Sequence, residues 1–153
     1  MKKTLKIIVT LLSLLLTVCM LTACGKMNAA PATEQAAAAE KSGLWANAAY
    51  DRDTSFGSGK TTLLVEVKAE DRSVTFTLKT DKETVGAALL EHGLIAGEEG
   101  EFGLYVKAVN GITADYDVDQ SYWGFFKNGE MMMTGVDGEK IEDGGHYELV
   151  YTK

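Results

Sequence analysis

"TTLLVEVKAEDRSVTFTLKT" occupies Thr61 to Thr80. In its first half Leu63, Val65 and Val67 alternate with neighbours that are polar but for Leu64. In its second half Val74, Phe76 and Leu78 do the same. A period of two places every second side chain on one face, so each half reads as a half-buried strand. The short charged break between them predicts an antiparallel hairpin. The pattern then changes. Thr80-Asp81-Lys82-Glu83 has the spacing of a capping box, with Thr80 as N-cap and Glu83 reaching back. Val85, Ala88 and Leu89 form one face of a short helix, His92 lies a turn beyond Leu89, and Gly93 is placed to end it.

Beyond a glycine-rich, acidic connection come "GLYVKAVNGITA" (103–114) and "SYWGFFKNGEMMMTG" (121–135). Each holds an Asn-Gly pair, Asn110-Gly111 and Asn128-Gly129. A type I′ hairpin turn needs positive φ at both central residues, which Asn and Gly tolerate best. "HYELVYTK" closes the chain as a further strand with Tyr147, Leu149 and Tyr151 alternating. A hairpin, one helix and several more strands make an α+β domain, with the helix laid on a mixed, mainly antiparallel sheet.

Outward from this block, the N-terminus has another character. Lys2, Lys3 and Lys6 precede a run from Ile7 to Leu21 that is apolar but for Thr10, Ser13 and Thr17, and Leu21-Thr22-Ala23-Cys24 follows. Charge, apolar length and small residues before a cut mark a secretory leader, and the run is shorter than the ~20 residues of a spanning helix. Leu-Thr-Ala-Cys resembles the bacterial lipobox, in which the cysteine is diacylated and becomes the mature N-terminus. Each buried acyl CH₂ contributes about 0.8 kcal/mol, so Cys24 is expected to hold the protein on the outer face of a membrane. Cys19 leaves with the leader and Cys24 is acylated, so no thiol remains for disulfides, thiol catalysis or metal.

"GKMNAAPATEQAAAAEKS", 25–42, has helix propensity without an apolar stripe and reads as a stalk. In "GLWANAAYDRDTSFGSGK", Trp45, Tyr50 and Phe56 are expected to dock as an extended arm. The chain thus divides into a leader over 1–23, a lipid-anchored stalk and arm over 24–60, and a domain over 61–153.

Composition narrows the function. Without Lys2, Lys3 and Lys6, the 15 basic residues become 12 against 22 acidic, a net charge of −10. An acidic surface with no basic stripe argues against nucleic acid and against direct binding of anionic lipid. "GSGKTT" (57–62) misses the phosphate-loop pattern, because Thr54 stands where that motif needs glycine. His92 and His146 stand apart, with no partner pattern for catalysis or metal. Asp115, Asp117 and Asp119 alternate as in a calcium loop, but Gln120 replaces the expected glycine and Phe126 the bidentate glutamate. A solvated acidic loop is the expectation there, with weak calcium binding left open. No nucleophile elbow or hydrolase signature appears, and an enzyme is not expected.

The aromatic and methionine stretch is the most distinctive feature. In a strand, Tyr122, Gly124 and Phe126 share one face, and Trp123 and Phe125 the other. Neither face is polar. Either the strand is core on both sides, or one side holds something.

The order "LLVEV", "VTFTL", "TVGAALLEHGLI", "GLYVKAVNGI", "SYWGFFKNGE", "TGVDGEKIEDGGHYELVY" resembles the transcobalamin-like C-terminal domain family. That family includes a bacterial lipoprotein branch and the C-terminal β-domain of vertebrate transcobalamin and intrinsic factor. The resemblance spans roughly Thr61 to Thr152. It implies a β-grasp-like fold and a role in binding cobalamin or another corrinoid. In the vertebrate carriers this domain covers one face of cobalamin and a helical domain the other, so half of a clamp is implied here. Carried onto matching positions, it makes Asp119, Gln120, Ser121, Tyr122 and Trp123 the candidate ligand contacts, with Trp123 buried and Tyr122 on the opposite face. Met131, Met132 and Met133 are added on chemistry alone, since thioethers make adaptable apolar contacts. No cofactor is required, and the corrinoid would be a ligand. Two functions follow. One is capture of a small molecule for delivery to a membrane transporter. The other is a cell-surface interaction module for a protein, peptide or glycan.

Overall fold

The computed structural model describes residues 42–101 and 103–153. The leader and Cys24 lie outside the described residues, as does the stalk but for Ser42. The expected hairpin is present as β2 (Thr61–Ala69) and β3 (Arg72–Thr80), paired antiparallel from Thr61↔Thr80 to Ala69↔Arg72. The last strand, β9 (Gly145–Thr152), runs parallel to β2, and β7 (Tyr122–Lys127) runs antiparallel to β9. With β1 (Thr54–Gly57) and β8 (Glu130–Met131), the six-stranded order is β1-β3-β2-β9-β7-β8. A leading hairpin whose first strand pairs in parallel with the last strand at the sheet's centre is the expected β-grasp arrangement.

Register decides what each face carries. Val65 lies beside Tyr147 and Phe76, Val67 beside Leu149, and Leu149 beside Phe125. These side chains point to one face and are buried. Against them pack Val85, Ala88 and Leu89 of helix α1 (Val85–Glu91). Ile95, Val109 and Ile112 join the same core. They come from a second, three-stranded sheet of β4 (Ile95–Gly100), β5 (Gly103–Val109) and β6 (Ile112–Thr113).

Three local expectations need correction. The N-cap of α1 is Thr84, whose hydroxyl accepts the Ala87 N–H at 3.3 Å, and not Thr80. Thr80 stays in β3 opposite Thr61, and its hydroxyl accepts the Lys82 N–H. The helix starts later because the returning chain caps it: Val85 N–H donates to the Glu139 carbonyl and Gly86 N–H to that of Val136. A Cβ on Gly86 would meet Asp137 N at 2.9 Å, so this close approach needs glycine. The acidic connection is the strand β4, paired with β5 across a bulge at Ala96/Gly97. Finally, the segment of Asp115, Asp117 and Asp119, expected as a solvated acidic loop, is ordered instead as a helical turn. It forms the single turn α2 (Tyr116–Asp119), with the Asp115 carboxylate accepting the N–H groups of Asp117 and Val118.

The arm docks, as its aromatics suggest. Trp45, in a 3-10 turn over Gly43–Asn47, is fully buried and donates from Nε1 to the Ala69 carbonyl at 2.8 Å. The Arg72 guanidinium lies over its ring at 4.6 Å. Tyr50, Phe56 and Phe76 meet edge to face at 5.1–5.7 Å. Phe56 belongs to β1, which pairs in parallel with β3.

Candidate functional site

β7 separates its side chains as alternation requires. Trp123 and Phe125 point inward. Trp123 is 8% exposed, meets Tyr151 edge-on at 5.6 Å, and leaves its buried Nε1 without an acceptor. Phe125 stacks on Tyr147 at 6.1 Å. Tyr122, Gly124 and Phe126 point the other way, and the Phe126 ring covers Gly124. Gly124 therefore leaves a shallow step that a neighbouring ring fills.

On this outer face, register brings several elements together. Phe126 lies beside Met131 on one side and Glu148 on the other. Glu148 lies beside Glu66, and Val150 beside Lys68 and Gly124. Leu64 lies beside His146, and Tyr122 beside Thr152. Leu64, Tyr122, Phe126 and Val150 are half-buried, yet none of them packs against the hydrophobic core. Among the described residues, no element covers them. The result is an open apolar surface with a charged centre.

That centre is rigidly paired. Lys68 Nζ donates to Glu148 Oε2 at 2.6 Å and lies 3.2 Å from Glu66 Oε2. His146 Nε2 is 3.5 Å from the same Glu66 oxygen. Glu148 is 7% exposed, and its second oxygen accepts the Gly129 N–H at 2.7 Å, which fixes the β7–β8 turn to β9. The hydrogen bond from Lys68 holds the Glu148 carboxyl below its ordinary pKa, with help from the Gly129 N–H. The same bond raises the Lys68 ammonium above its own ordinary value. Both shifts favour the charged forms, because the mutual hydrogen bond outweighs the partial burial that opposes them.

The sequence-derived candidates do not form one site. Asp119 accepts from the Ser121 N–H and hydroxyl and from Lys153 Nζ, the last at 3.0 Å. These bonds, the Ser121 hydroxyl foremost, bring its pKa down to about 2. Ser121 is buried, and its hydroxyl also accepts the Asp115 N–H. Its hydrogen-bonding capacity is used within the loop. Gln120 is exposed in the left-handed region at φ 63°. Asp119 also lines a cleft of about 470 Å³ with Leu44, Glu70, Tyr151 and Lys153. Trp123 is core. Met132 packs on the core too, while Met131 is 57% and Met133 96% exposed. Only Tyr122 and Met131 of the eight candidates stand on the open face.

Sequence reasoning missed Leu64, Glu66, Lys68, Glu148 and Val150. The period of two in β2 and β9 carried the signal, since these are the positions between the core residues. A separate cleft of about 390 Å³ lies between Gly57–Gly59, Lys79–Lys82, Glu91 and His92. The His92 ring stacks on Phe56 there, and its buried Nε2 has no hydrogen-bond partner. Among the described residues no group of three His, Cys, Asp or Glu side chains is placed to hold a metal ion.

Comparison with known proteins gives these findings. A family model described as "Domain of unknown function (DUF4430)" matches residues 82–153. The crystal structure of a Ruminococcus gnavus protein, provisionally described as metal binding, is similar at 32% identity and a TM-score of 0.59. The match covers 61% of this chain and 98% of that one. Haptocorrin in complex with Cbi is similar in fold at 17% identity and a TM-score of 0.53. That match covers 64% of this chain and 26% of haptocorrin, so the likeness is to about a quarter of that protein. No curated protein matches the chain.

Proposed function

We propose, from the premise that this chain belongs to one family with the Ruminococcus gnavus protein, that it binds a small molecule on the outer face of its six-stranded sheet. The ligand that fits best is a corrinoid. A corrin presents a broad apolar face with an amide fringe. Such a face suits Tyr122, Phe126, Met131, Leu64 and Val150, with Lys68, Glu66 and His146 near enough to hydrogen-bond the fringe. The observation that carries the reading is the uncovered set of half-buried apolar side chains on that face. The fold likeness to haptocorrin in complex with Cbi supports it. An open face touches one side of a ligand only, so the affinity of this domain alone is weak, or a second protein closes the site. Anchored through Cys24 outside the cytoplasm, the protein would hand its ligand to a membrane transporter. It is a carrier in this reading and not an enzyme.

Titration of the purified protein with cobinamide, followed in the visible spectrum, tests the proposal. A saturable spectral change is expected, weakened about tenfold by Tyr122→Ala or Phe126→Ala, on the scale of about 1.4 kcal/mol per lost contact. If no change occurs, or both variants bind as well as the parent, the site is elsewhere. Retention of a cell-surface protein in place of cobinamide would favour the interaction module. Anchoring is tested separately, since Cys24→Ser should release the protein from the membrane fraction or block its processing.

A further inference from the structure

Two of the three consecutive methionines stand out into solvent. Met131 and Met133 are 57% and 96% exposed, while Met132 between them lies against the core. The Met132 N–H donates to the Phe125 carbonyl at 2.9 Å, which holds this alternation in place. Met131 ends β8 and Met133 sits in the bend just beyond it, so their Cα atoms are separated by one residue only. Each thioether rides on three rotatable bonds, so both sulfurs can reach one ion between them.

The support beneath them is firm. Asn128 and Gly129 take the positive φ angles of 51° and 82° that close the hairpin, and Glu148 grips the Gly129 N–H. Phe126, the cross-strand partner of Met131, stands on the same side and offers an aromatic ring to a cation. The donor set decides which cation. A thioether is neutral and polarisable, and it competes poorly with water for calcium, magnesium or zinc. Soft sulfur ligands select Cu(I). Neither Cys19 nor Cys24 lies among the described residues, and in the secreted form neither offers a thiol to compete for a soft ion.

We propose that Met131 and Met133 form an exposed two-thioether site for Cu(I). The site does not rest on the corrinoid reading, although Met131 serves both.

The test is a competition for Cu(I) between the full-length protein in detergent, carrying Cys19→Ser and Cys24→Ser so that no thiol competes, and a chromophoric Cu(I) chelator, under anaerobic reducing conditions. The parent is expected to withdraw copper from the chelator, and X-ray absorption of the bound ion should show sulfur neighbours. Met131→Leu/Met133→Leu should weaken binding at least tenfold, whereas Met132→Leu should leave it unchanged. Tyr122→Ala, which touches neither thioether, should withdraw copper as the parent does while weakening cobinamide binding, and so separates the two readings. Thermal melts check that the variants fold. The proposal is overturned if the parent leaves all copper on the chelator, or if the folded double variant binds as tightly as the parent.

Discussion

Tyr122 and Trp123 are chain neighbours that serve opposite sides of one sheet. Trp123→Ala removes a buried ring and should destabilise by about 3–5 kcal/mol. Trp123→Phe should cost less than half of that, because it also removes the indole N–H that is buried without an acceptor. Tyr122→Ala, on the open face, should cost least. Chemical denaturation of the three variants checks the order, and equal losses would place Tyr122 in the core. Glu148 makes a second prediction at this scale. Its folded pKa lies below the ordinary 4.5, so the stability it contributes is present above that value. That contribution is lost as pH falls through the lowered folded value. Asp119 behaves alike, with its contribution leaving between 3.8 and about 2. Urea unfolding from pH 6 to 3 should therefore show falling stability for the parent and a flatter profile for Glu148→Gln. Unchanged acid dependence in that variant would mean that the Lys68–Glu148 pair does not govern it.

Among the elements, the two Asn-Gly turns test how far a local signal reaches. Both close hairpins with positive φ, at Asn110 (52°) and Gly111 (79°), and at Asn128 (51°) and Gly129 (82°). Their surroundings differ. A Cβ at Gly129 would meet nothing within 4 Å, whereas one at Gly111 would lie 2.5 Å from the Asn47 carbonyl oxygen. Gly129→Ala should cost about 1–2 kcal/mol, the left-handed backbone penalty alone. Gly111→Ala should cost more, because the arm's backbone must also move. Equal losses by thermal melt would show that the arm yields freely. Asn110 has a second task that no turn rule foretells. Its side-chain amide donates to the Tyr50 carbonyl and accepts the Tyr50 N–H, so one buried residue both turns a hairpin and holds the arm. The hairpins were legible because their signals are local in the chain. The start of α1 was not, because residues 136–139, some fifty positions away, supply its first hydrogen-bond acceptors. Nor was β4, whose glycines and glutamates have low strand propensity and become a strand through pairing with β5.

For the whole molecule, the arm sets the practical boundary of the fold. A chain beginning at Gly43 should melt within a few degrees of one beginning at Gly25, because 25–42 has no apolar face to bury. A chain beginning at Thr61 loses Trp45, Phe56 and β1, and its melting point should drop by ~10 °C or more, given the cost of one buried aromatic in a domain this size. A small drop would mean that the arm is ornamental. The sequence by itself determined the β2–β3 hairpin, the presence and buried face of helix α1, both I′ turns and which residues of β7 share a face. Each of these depends on periodicity or backbone preference within a few residues. Only the tertiary structure decided that Glu66, Lys68, Glu148 and Val150 stand beside Phe126 and Met131. Those residues are up to 84 positions apart, from Glu66 to Val150, and parallel pairing of β2 with β9 brings them together. Tertiary packing likewise used the Asp119–Ser121 loop's hydrogen bonds internally and turned Met132 inward, because buried polar groups and apolar side chains go first to the nearest partner the fold provides.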